Sequence, residues 1–575
     1  MKSTEIIKRV MKYIMRYKFA FVLSIIFTTI STLATLYIPV LAGDAIDNIV
    51  GLGNVDFGNL IKILCYILVA LALGGVSQYI ANVFNNKISN ETVRDMRTDA
   101  FVKLQKVPVS YIDSQETGDI VSRVIADAEQ FADGLILGFQ NLFSGVLTIF
   151  GTLFFLFKIN VWIALIVVVL TPLSLFVSKF IAKRTYKYFQ KQSSQRGKVT
   201  SYIEEMISNI KTVKSYHIES KVCEEFDELN QELGKDSLNA TFFSSLTNPS
   251  TRFVNSMVYA FVGLGGAFFA ISNVITVGSL SASLAYANQY TKPFNDISGV
   301  VTELQNAIAC AGRLLEVIDA KEYRDAQGNL PENVQGNFAV SNVDFSYSKD
   351  RSLIEDLNFT LKSGQRLAIV GPTGCGKTTL INLLMGFYDV DKGTIAIDGV
   401  DINTVSKKSL RQNMGMVLQD TWLKSGTIRE NIAFGNEGAT DEEIISAAKK
   451  SHAHSFIKKL SNGYDTYVGE DGGNLSVGQK QLISITRLML SPPPILILDE
   501  ATSSIDLVTE QRITRSFMKL MQGRTSFVVA HRLKTIVESD LILVMKNGDV
   551  VERGTHKELL SAKGFYYELY KSQFE

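Results

Sequence analysis

Hydrophobic positions divide this chain into two unlike halves. Before about residue 300 they fall in long, nearly unbroken runs; after it they come as short apolar bursts alternating with stretches at helical spacing. Runs at about 19–42, 59–84, 135–157, 161–182, 254–272 and 274–297 each approach or exceed the ~20 residues that a bilayer-spanning helix needs. The last, with Asn288, Gln289, Lys292 and Asp296, is the least hydrophobic. Counting it makes the number of spans even and returns the chain to its basic side. Ahead of the first run, Ile6, Ile7, Val10, Met11, Ile14 and Met15 recur at helical spacing among Lys2, Lys8, Arg9, Lys12, Arg16 and Lys18. That pattern predicts an amphipathic helix on the membrane surface. A signal peptide is the competing reading, but the following run is too long for one and no small-residue cleavage site stands out.

The connections set the orientation. Residues 43–58 hold Asp44, Asp47 and Asp56 without a Lys or Arg, whereas 85–130 carry Lys87, Arg94, Arg97, Lys103, Lys106 and Arg123. The stretch 179–235 is more basic still, opening with Lys179, Lys183, Arg184 and Lys187. Positive charge placed this way puts both termini and the two long connections in the cytoplasm, as expected of a multi-pass protein of the cell membrane. Ile203, Met206, Ile207, Ile210 and Val213 continue a helical pattern beyond the fourth run, and ~20 such residues project ~30 Å past the bilayer. Polar turns near 111–119 and 213–217 are the tips on which a cytoplasmic motor could push. The expected organisation is a transmembrane domain over 1–320, a polar linker over 321–336 and an α/β domain over 337–575.

The chemistry centres on Gly371, Pro372, Thr373, Gly374, Cys375, Gly376, Lys377 and Thr378, followed by Thr379. An apolar strand, Arg366 to Val370, precedes this loop and an apolar helical stretch follows it. Strand, glycine loop and helix together turn the motif into a phosphate cradle: backbone N–H groups turn inward and a helix N-terminus adds its positive end. Lys377 would reach the β- and γ-phosphates of ATP, and the Thr378 hydroxyl would ligate Mg²⁺. Downstream, Ile495 to Leu498 form a buried apolar strand ending in Asp499 and Glu500. Asp499 suits a Mg²⁺ site, and Glu500 suits the general base that polarises the attacking water.

Between these lies Leu475-Ser476-Val477-Gly478-Gln479. At this point the chain resembles, over essentially its full length, an ATP-binding-cassette (ABC) exporter half-transporter of the six-helix, multidrug-exporter type. The fold this implies is a multi-domain membrane protein: an all-α six-helix transmembrane domain with long cytoplasmic extensions, joined to a C-terminal α/β P-loop ABC ATPase domain. The resemblance assigns Tyr347 to stacking on adenine and Gln419 to sensing Mg²⁺ and facing the membrane domain. It assigns Asp506, in Ala501 to Asp506, to the loop crossing the dimer seam, and His531 to holding the γ-phosphate. Ser476, Gly478 and Gln479 then complete the ATP site of a second subunit. Thr466 to Gly473, with Glu470 and Asp471, match the segment that meets the helical tips.

The family's signature reads Leu-Ser-Gly-Gly-Gln, and Val477 departs from it. The catalytic set Lys377, Gln419, Asp499, Glu500 and His531 is nevertheless complete. That mismatch resembles the catalytically competent subunit of heterodimeric exporters, so a second half-transporter is the expected partner, a homodimer tolerating valine being the alternative. The expected activity is ATP-driven export of hydrophobic or amphipathic small molecules by alternating access. A lipid or glycolipid flippase, a peptide exporter and a non-transporting membrane sensor are the alternatives.

A net charge of +1 argues against nucleic acid as a partner. The four cysteines, Cys65, Cys223, Cys310 and Cys375, lack metal-ligand spacing and read as reduced structural thiols. Polar residues in or near the spans, among them Asn82, Gln140, Asn141, Asn248, Arg252, Asn255 and Lys292, either line a substrate cavity or join helices.

Overall fold

The computed structural model describes residues 3–49, 55–323, 325–348, 353–418, 421–436, 438–469, 472–499, 505–529 and 533–574. Contacts divide the chain into two compact units, Met1–Lys106 with Gln115–Ala320, and Val107–Ser114 with Lys321–Glu575.

The first unit is helical. Its helices are α1 (Ser3–Ile14), α2 (Lys18–Asp47), α3 (Phe57–Leu104), α5 (Thr117–Val124), α6 (Ala126–Leu137), α7 (Ser144–Ile159), α8 (Val161–Ser208), α9 (Ile210–Ser215), α10 (Glu219–Ser245), α11 (Thr247–Ile271) and α12 (Val277–Ile318). The short α4 (Val109–Asp113) belongs to the second unit. A π-helical segment, Gly138–Phe143, joins α6 to α7. The six predicted runs lie wholly or mostly on these helices, the third crossing the π-helical segment. By length and composition, four continuous stretches among the described residues are long and apolar enough to cross a membrane: Ser3–Asp47, Phe57–Leu104, Thr117–Ile159 and Glu219–Ile271.

Packing in this unit follows the logic of a bilayer, where small and polar residues rather than large apolar ones bring helices together. Ser24, Thr28 and Ser31 on α2 are buried, as are Gly74, Ser77, Ala81 and Asn85 on α3. The Ser24 hydroxyl donates to the Asn85 side-chain oxygen, and Ser31 donates to the Gly74 carbonyl at 2.9 Å. Leu68, Val69 and Tyr79 on other faces of α3 are exposed. At the basic end, Arg313 of α12 grips Asp127 of α6 through two donors at 2.7 and 2.5 Å. The amphipathic α1 buries Ile6, Val10, Tyr13 and Ile14, in a cluster with Met96, Leu314 and Leu315. The helical pattern read past residue 208 is interrupted: Asn209 separates α8 from α9.

The second unit is α/β. Its strands are β1 (Phe338–Phe345), β2 (Ile354–Leu361), β3 (Arg366–Val370), β4 (Lys392–Ile397), β5 (Val400–Asp401), β6 (Met414–Val417), β7 (Gly426–Thr427), β8 (Tyr467–Val468), β9 (Ile495–Asp499), β10 (Thr525–Val529), β11 (Leu541–Lys546) and β12 (Asp549–Gly554). Its longer helices are α13 (Lys377–Leu384), α14 (Lys407–Gln412), α15 (Ile428–Ala433), α16 (Asp441–Lys450), α17 (His454–Ile457), α18 (Val477–Leu490), α19 (Leu507–Met521), α20 (Leu533–Val537), α21 (His556–Ala562) and α22 (Phe565–Phe574). A six-stranded sheet of order β12-β11-β3-β10-β9-β6 carries the nucleotide motifs. It is parallel except at β12, and a four-stranded antiparallel sheet of order β2-β1-β4-β5 accompanies it. Strands buried on both faces read as continuous apolar runs. In β9, Ile495 and Ile497 enter one core while Leu496 and Leu498 enter the other.

Candidate functional site

Parallel strand direction does most of the assembly. In β10, Val529 lies opposite both Ile369 of β3 and Asp499 of β9, and Val417 of β6 lies opposite Leu498. Four strand ends therefore share one edge, with neighbours about 5 Å apart, at the carboxyl side where α/β sheets place ligands. The phosphate loop follows β3, Gln419 comes two residues after β6, Glu500 directly after β9 and His531 two residues after β10. Gln419, Glu500 and His531 lie outside the described residues, as do Ala501 to Ser504, Glu470 and Asp471.

The loop has the shape that phosphate requires. Gly374 and Gly376 take positive φ of 81° and 100°, the left-handed region that glycine enters without strain. Gly376 precedes α13 as its N-cap with no side chain capping it, so the first-turn N–H groups of α13 remain available to a ligand. The Lys377 ammonium donates to the loop carbonyls of Gly371 and Pro372 at 2.8 and 2.9 Å. It is thus held over its own loop. Pro372, Thr373, Gly374 and Thr378 are exposed, while Cys375 and Thr379 are buried. Tyr347 is 53% exposed, and its hydroxyl donates to Thr379 at 3.2 Å, which sets an open aromatic face beside the phosphate loop. Thr378 and Asp499 offer a hydroxyl and a carboxylate, the hard oxygen donors that suit Mg²⁺.

The signature segment opens α18. Ser476 caps it: the Gln479 N–H donates to the Ser476 hydroxyl at 3.3 Å and the Ser476 N–H donates to the Gln479 side chain at 3.0 Å. This reciprocal box fixes both residues and leaves the Ser476 O–H to donate outward. Val477 is 46% exposed at the first position of the helix. Gly478 faces α19; a Cβ there would lie 2.5 Å from Thr509 Cγ2 and 3.0 Å from Ile505 Cγ2. Asp506 caps α19 by accepting the Thr509 N–H at 2.9 Å. That bond keeps its carboxyl below the usual range.

Two families match this architecture: residues 21–294 match the ABC transporter transmembrane region, and residues 354–503 match the ABC transporter family. YfiC of Bacillus subtilis, named as an ABC transporter ATP-binding protein, is 39% identical over 99% of this chain and 94% of its own. The chain belongs to the ABC transporters. A fatty acid ABC transporter ATP-binding/permease protein of Mycobacterium bovis is 41% identical over 85% of this chain and 77% of its own. YgaD of Bacillus subtilis, named for multidrug export, is 34% identical over 99% of both chains. This ABC transporter is a multi-pass membrane protein of the exporter type. It binds ATP in a C-terminal ABC ATPase domain and hydrolyses it, and half-transporters of this kind generally dimerise.

Sequence reasoning passed over two residues of this ATPase unit. Tyr388 donates to the Asp113 carboxylate of α4, and its ring meets Tyr347 edge-on with centroids 5.1 Å apart. No local motif marks it. Arg487 of α18 donates to the Asn431 carbonyl at 2.6 Å, the Asn431 side chain at 2.7 Å and the Trp422 carbonyl at 3.0 Å. Burial pushes it down to about 10. None of the four thiols is in a disulfide; Cys310 and Cys375 are buried, and Cys65 and Cys223 are exposed.

Proposed function

We propose that this ABC transporter exports amphipathic small molecules across the cytoplasmic membrane as one half of a heterodimer, with both termini and the ATPase domain in the cytoplasm. The observation that carries the reading is the fusion of a membrane-helix unit to a single phosphate loop and a single signature helix. One chain thus supplies half of each of two sandwiched ATP sites. Lys377 and Tyr347 would hold the nucleotide; Thr378, Asp499 and Gln419 would hold Mg²⁺, which supplies charge neutralisation at the transferring phosphate. Glu500 polarises the attacking water and His531 steadies the γ-phosphate. Val477, exposed at the start of α18, places a β-branched side chain where a partner's nucleotide must approach, and this supports a second chain with an intact signature.

Export follows from alternating access: ATP binds the closed nucleotide dimer more tightly than the open one, and so draws the helical tips together. The relative named for fatty acid transport brings fatty acids within the substrate class. The native mass of the complex, tagged on this chain and purified from its own host, tests the pairing; two copies of this chain would overturn it. Glu500→Gln should retain ATP binding and lose turnover by about 100-fold or more. Turnover within severalfold of the parent would remove Glu500 from its role.

A further inference from the structure

Within the helical unit lies a pocket of about 430 Å³, lined by residues of α2, α3, the π segment, α7 and α12. All of them fall in runs expected to span the bilayer. The lining is mixed, about half polar and half apolar: Ser31, Thr35, Gln78, Asn141 and Gln289 contribute polar groups beside Leu36 and Pro293, and Lys292 is the only charged residue among the described residues that line it. Lys292 sits fifteen residues into α12, about 22 Å along at 1.5 Å per residue, in the inner half of a ~30 Å hydrocarbon core.

A cation at that depth is costly, and such residues face a partner or a solvated path. No carboxylate pairs with Lys292 among the described residues, although Asp296, whose side chain lies outside them, follows one turn later in the chain. The neighbouring groups offer little compensation. Thr35 donates to the Ser31 carbonyl at 2.9 Å, and the Gln78 amide donates to Asn82 at 2.9 Å. The buried Gln289 Oε1 has no hydrogen-bond partner among the described residues. A buried acceptor and an ammonium that find no donor and no anion among the described residues are both relieved by one guest, an acid group that accepts from Lys292 and, when protonated or hydrated, donates to Gln289. The π segment that gives Asn141 to this pocket also gives Leu142 and Phe143 to a wholly apolar groove of about 520 Å³. A partly polar recess and an apolar groove on one short segment match a molecule with a charged head and an apolar body.

We propose that this pocket holds the anionic headgroup, carboxylate or phosphate, of an amphipathic substrate, with Lys292 as its counter-ion. The proposal rests on the export reading only in calling the ligand a substrate. The test uses the complex purified from its own host, in vesicles of uncharged phosphatidylcholine. Equilibrium binding and ATP-driven uptake are measured separately for one alkyl chain carrying a carboxylate, a phosphate, a hydroxyl or a trimethylammonium group. The parent should bind an anionic probe roughly tenfold or more tighter than the cationic one. Lys292→Gln should lose that margin, Lys292→Arg and Asp296→Asn should keep it, and the alcohol should bind all four proteins alike. A preference for carboxylate over phosphate would identify a fatty-acid-like source, and the reverse a phospholipid-like one. Equal binding of anion and cation by the parent, or undiminished anion binding by Lys292→Gln, would overturn the proposal. Anion binding that follows Lys292 without uptake of any probe would uphold the site and overturn the export reading instead.

Discussion

Gly478 separates two explanations of a signature glycine: room for a partner's nucleotide, or room for the neighbouring helix. A Cβ at Gly478 would stand 2.5 Å from Thr509 Cγ2, 3.0 Å from Ile505 Cγ2 and 3.5 Å from Thr509 Cβ. Ordinary van der Waals contact begins near 3.5 Å, so Gly478→Ala forces α18 and α19 apart by about 1 Å unless Thr509 turns away. The Thr509 backbone is held in place, because Asp506 accepts its N–H at 2.9 Å, so relief must come from rotation of the Thr509 side chain or from movement of the helices. Overpacking of this kind costs about 1–3 kcal/mol, offset by at most about 1 kcal/mol of gained helix propensity. The net loss of about 1–2 kcal/mol lowers the unfolding midpoint of a domain this size by roughly 3–6 °C. Thr509→Ser removes the offending methyl and keeps the hydroxyl. In that background Gly478→Ala should cost about 1–2 kcal/mol less than in the parent, which is the coupling a double-mutant cycle reads, the 3.0 Å approach to Ile505 Cγ2 being what remains. Thermal unfolding of the complex in nanodiscs reads the cycle, and ATP turnover is followed in parallel. If Gly478→Ala lowers the midpoint equally in both backgrounds, the packing argument is wrong. If stability returns in the double variant while turnover stays lost, the glycine serves the opposing nucleotide as well.

Tyr388→Phe removes the bond to Asp113 and should free α4, raising amide exchange over 107–114 by about 5–10-fold, as expected for loss of about 1 kcal/mol at an exposed carboxylate; unchanged protection would refute the tie. Arg487→Met strips donors from the Asn431 and Trp422 carbonyls and should cost about 2–4 kcal/mol in thermal unfolding. Arg487→Lys should fail to restore it, since an ammonium cannot make the same fork. His556 is half-buried against Tyr566, its ring nitrogen 2.7 Å from the phenol oxygen, and desolvation lowers its pKa from 6.5. As pH falls below 6.5 the unfolded chain takes up the proton first, so stability is lost toward acid; His556→Gln should flatten the fall in midpoint between pH 7.5 and 5.5, and an equal slope would refute it.

What the sequence revealed and what it concealed follow from how far apart the interacting residues lie. The phosphate loop, the strand before it and the helix after it are contiguous, so glycine, lysine and apolar pattern suffice to read them. The apolar runs are legible for the same reason. The edge that gathers Ile369, Val417, Asp499 and Val529 follows from parallel pairing, once alternating strands and helices are recognised. Arg487 was hidden because an arginine on an amphipathic helix normally reads as a solvated face. The π turn at Gly138–Phe143 leaves no mark, since an apolar run looks the same at either helical pitch. Ser476 and Gln479 were read only as nucleotide ligands, although Ser-x-x-Gln before an apolar helix also spells a capping box. The two side chains proposed to meet a partner's nucleotide are thus the same two that start the helix.

The placement of Val107–Ser114 with the ATPase unit was concealed most deeply, because Asp113 and Tyr388 stand 275 residues apart. That contact also limits what the nucleotide can transmit through it. Tyr347, the aromatic expected beside adenine, touches Tyr388 edge-on, and Tyr388 in turn holds α4. An edge-to-face pair is worth about 0.5–1.5 kcal/mol, whereas moving a two-state equilibrium from 1:99 to 99:1 takes about 5.5 kcal/mol. A ring displaced by an arriving adenine can therefore bias the tip of the α3–α5 connection but cannot throw it. On the proposed mechanism the remainder comes from differential binding of ATP to the closed dimer. On this argument Tyr388→Phe should weaken the link between ATP turnover and transport severalfold without abolishing either, whereas loss of the phosphate loop lysine, Lys377→Ala, should abolish both.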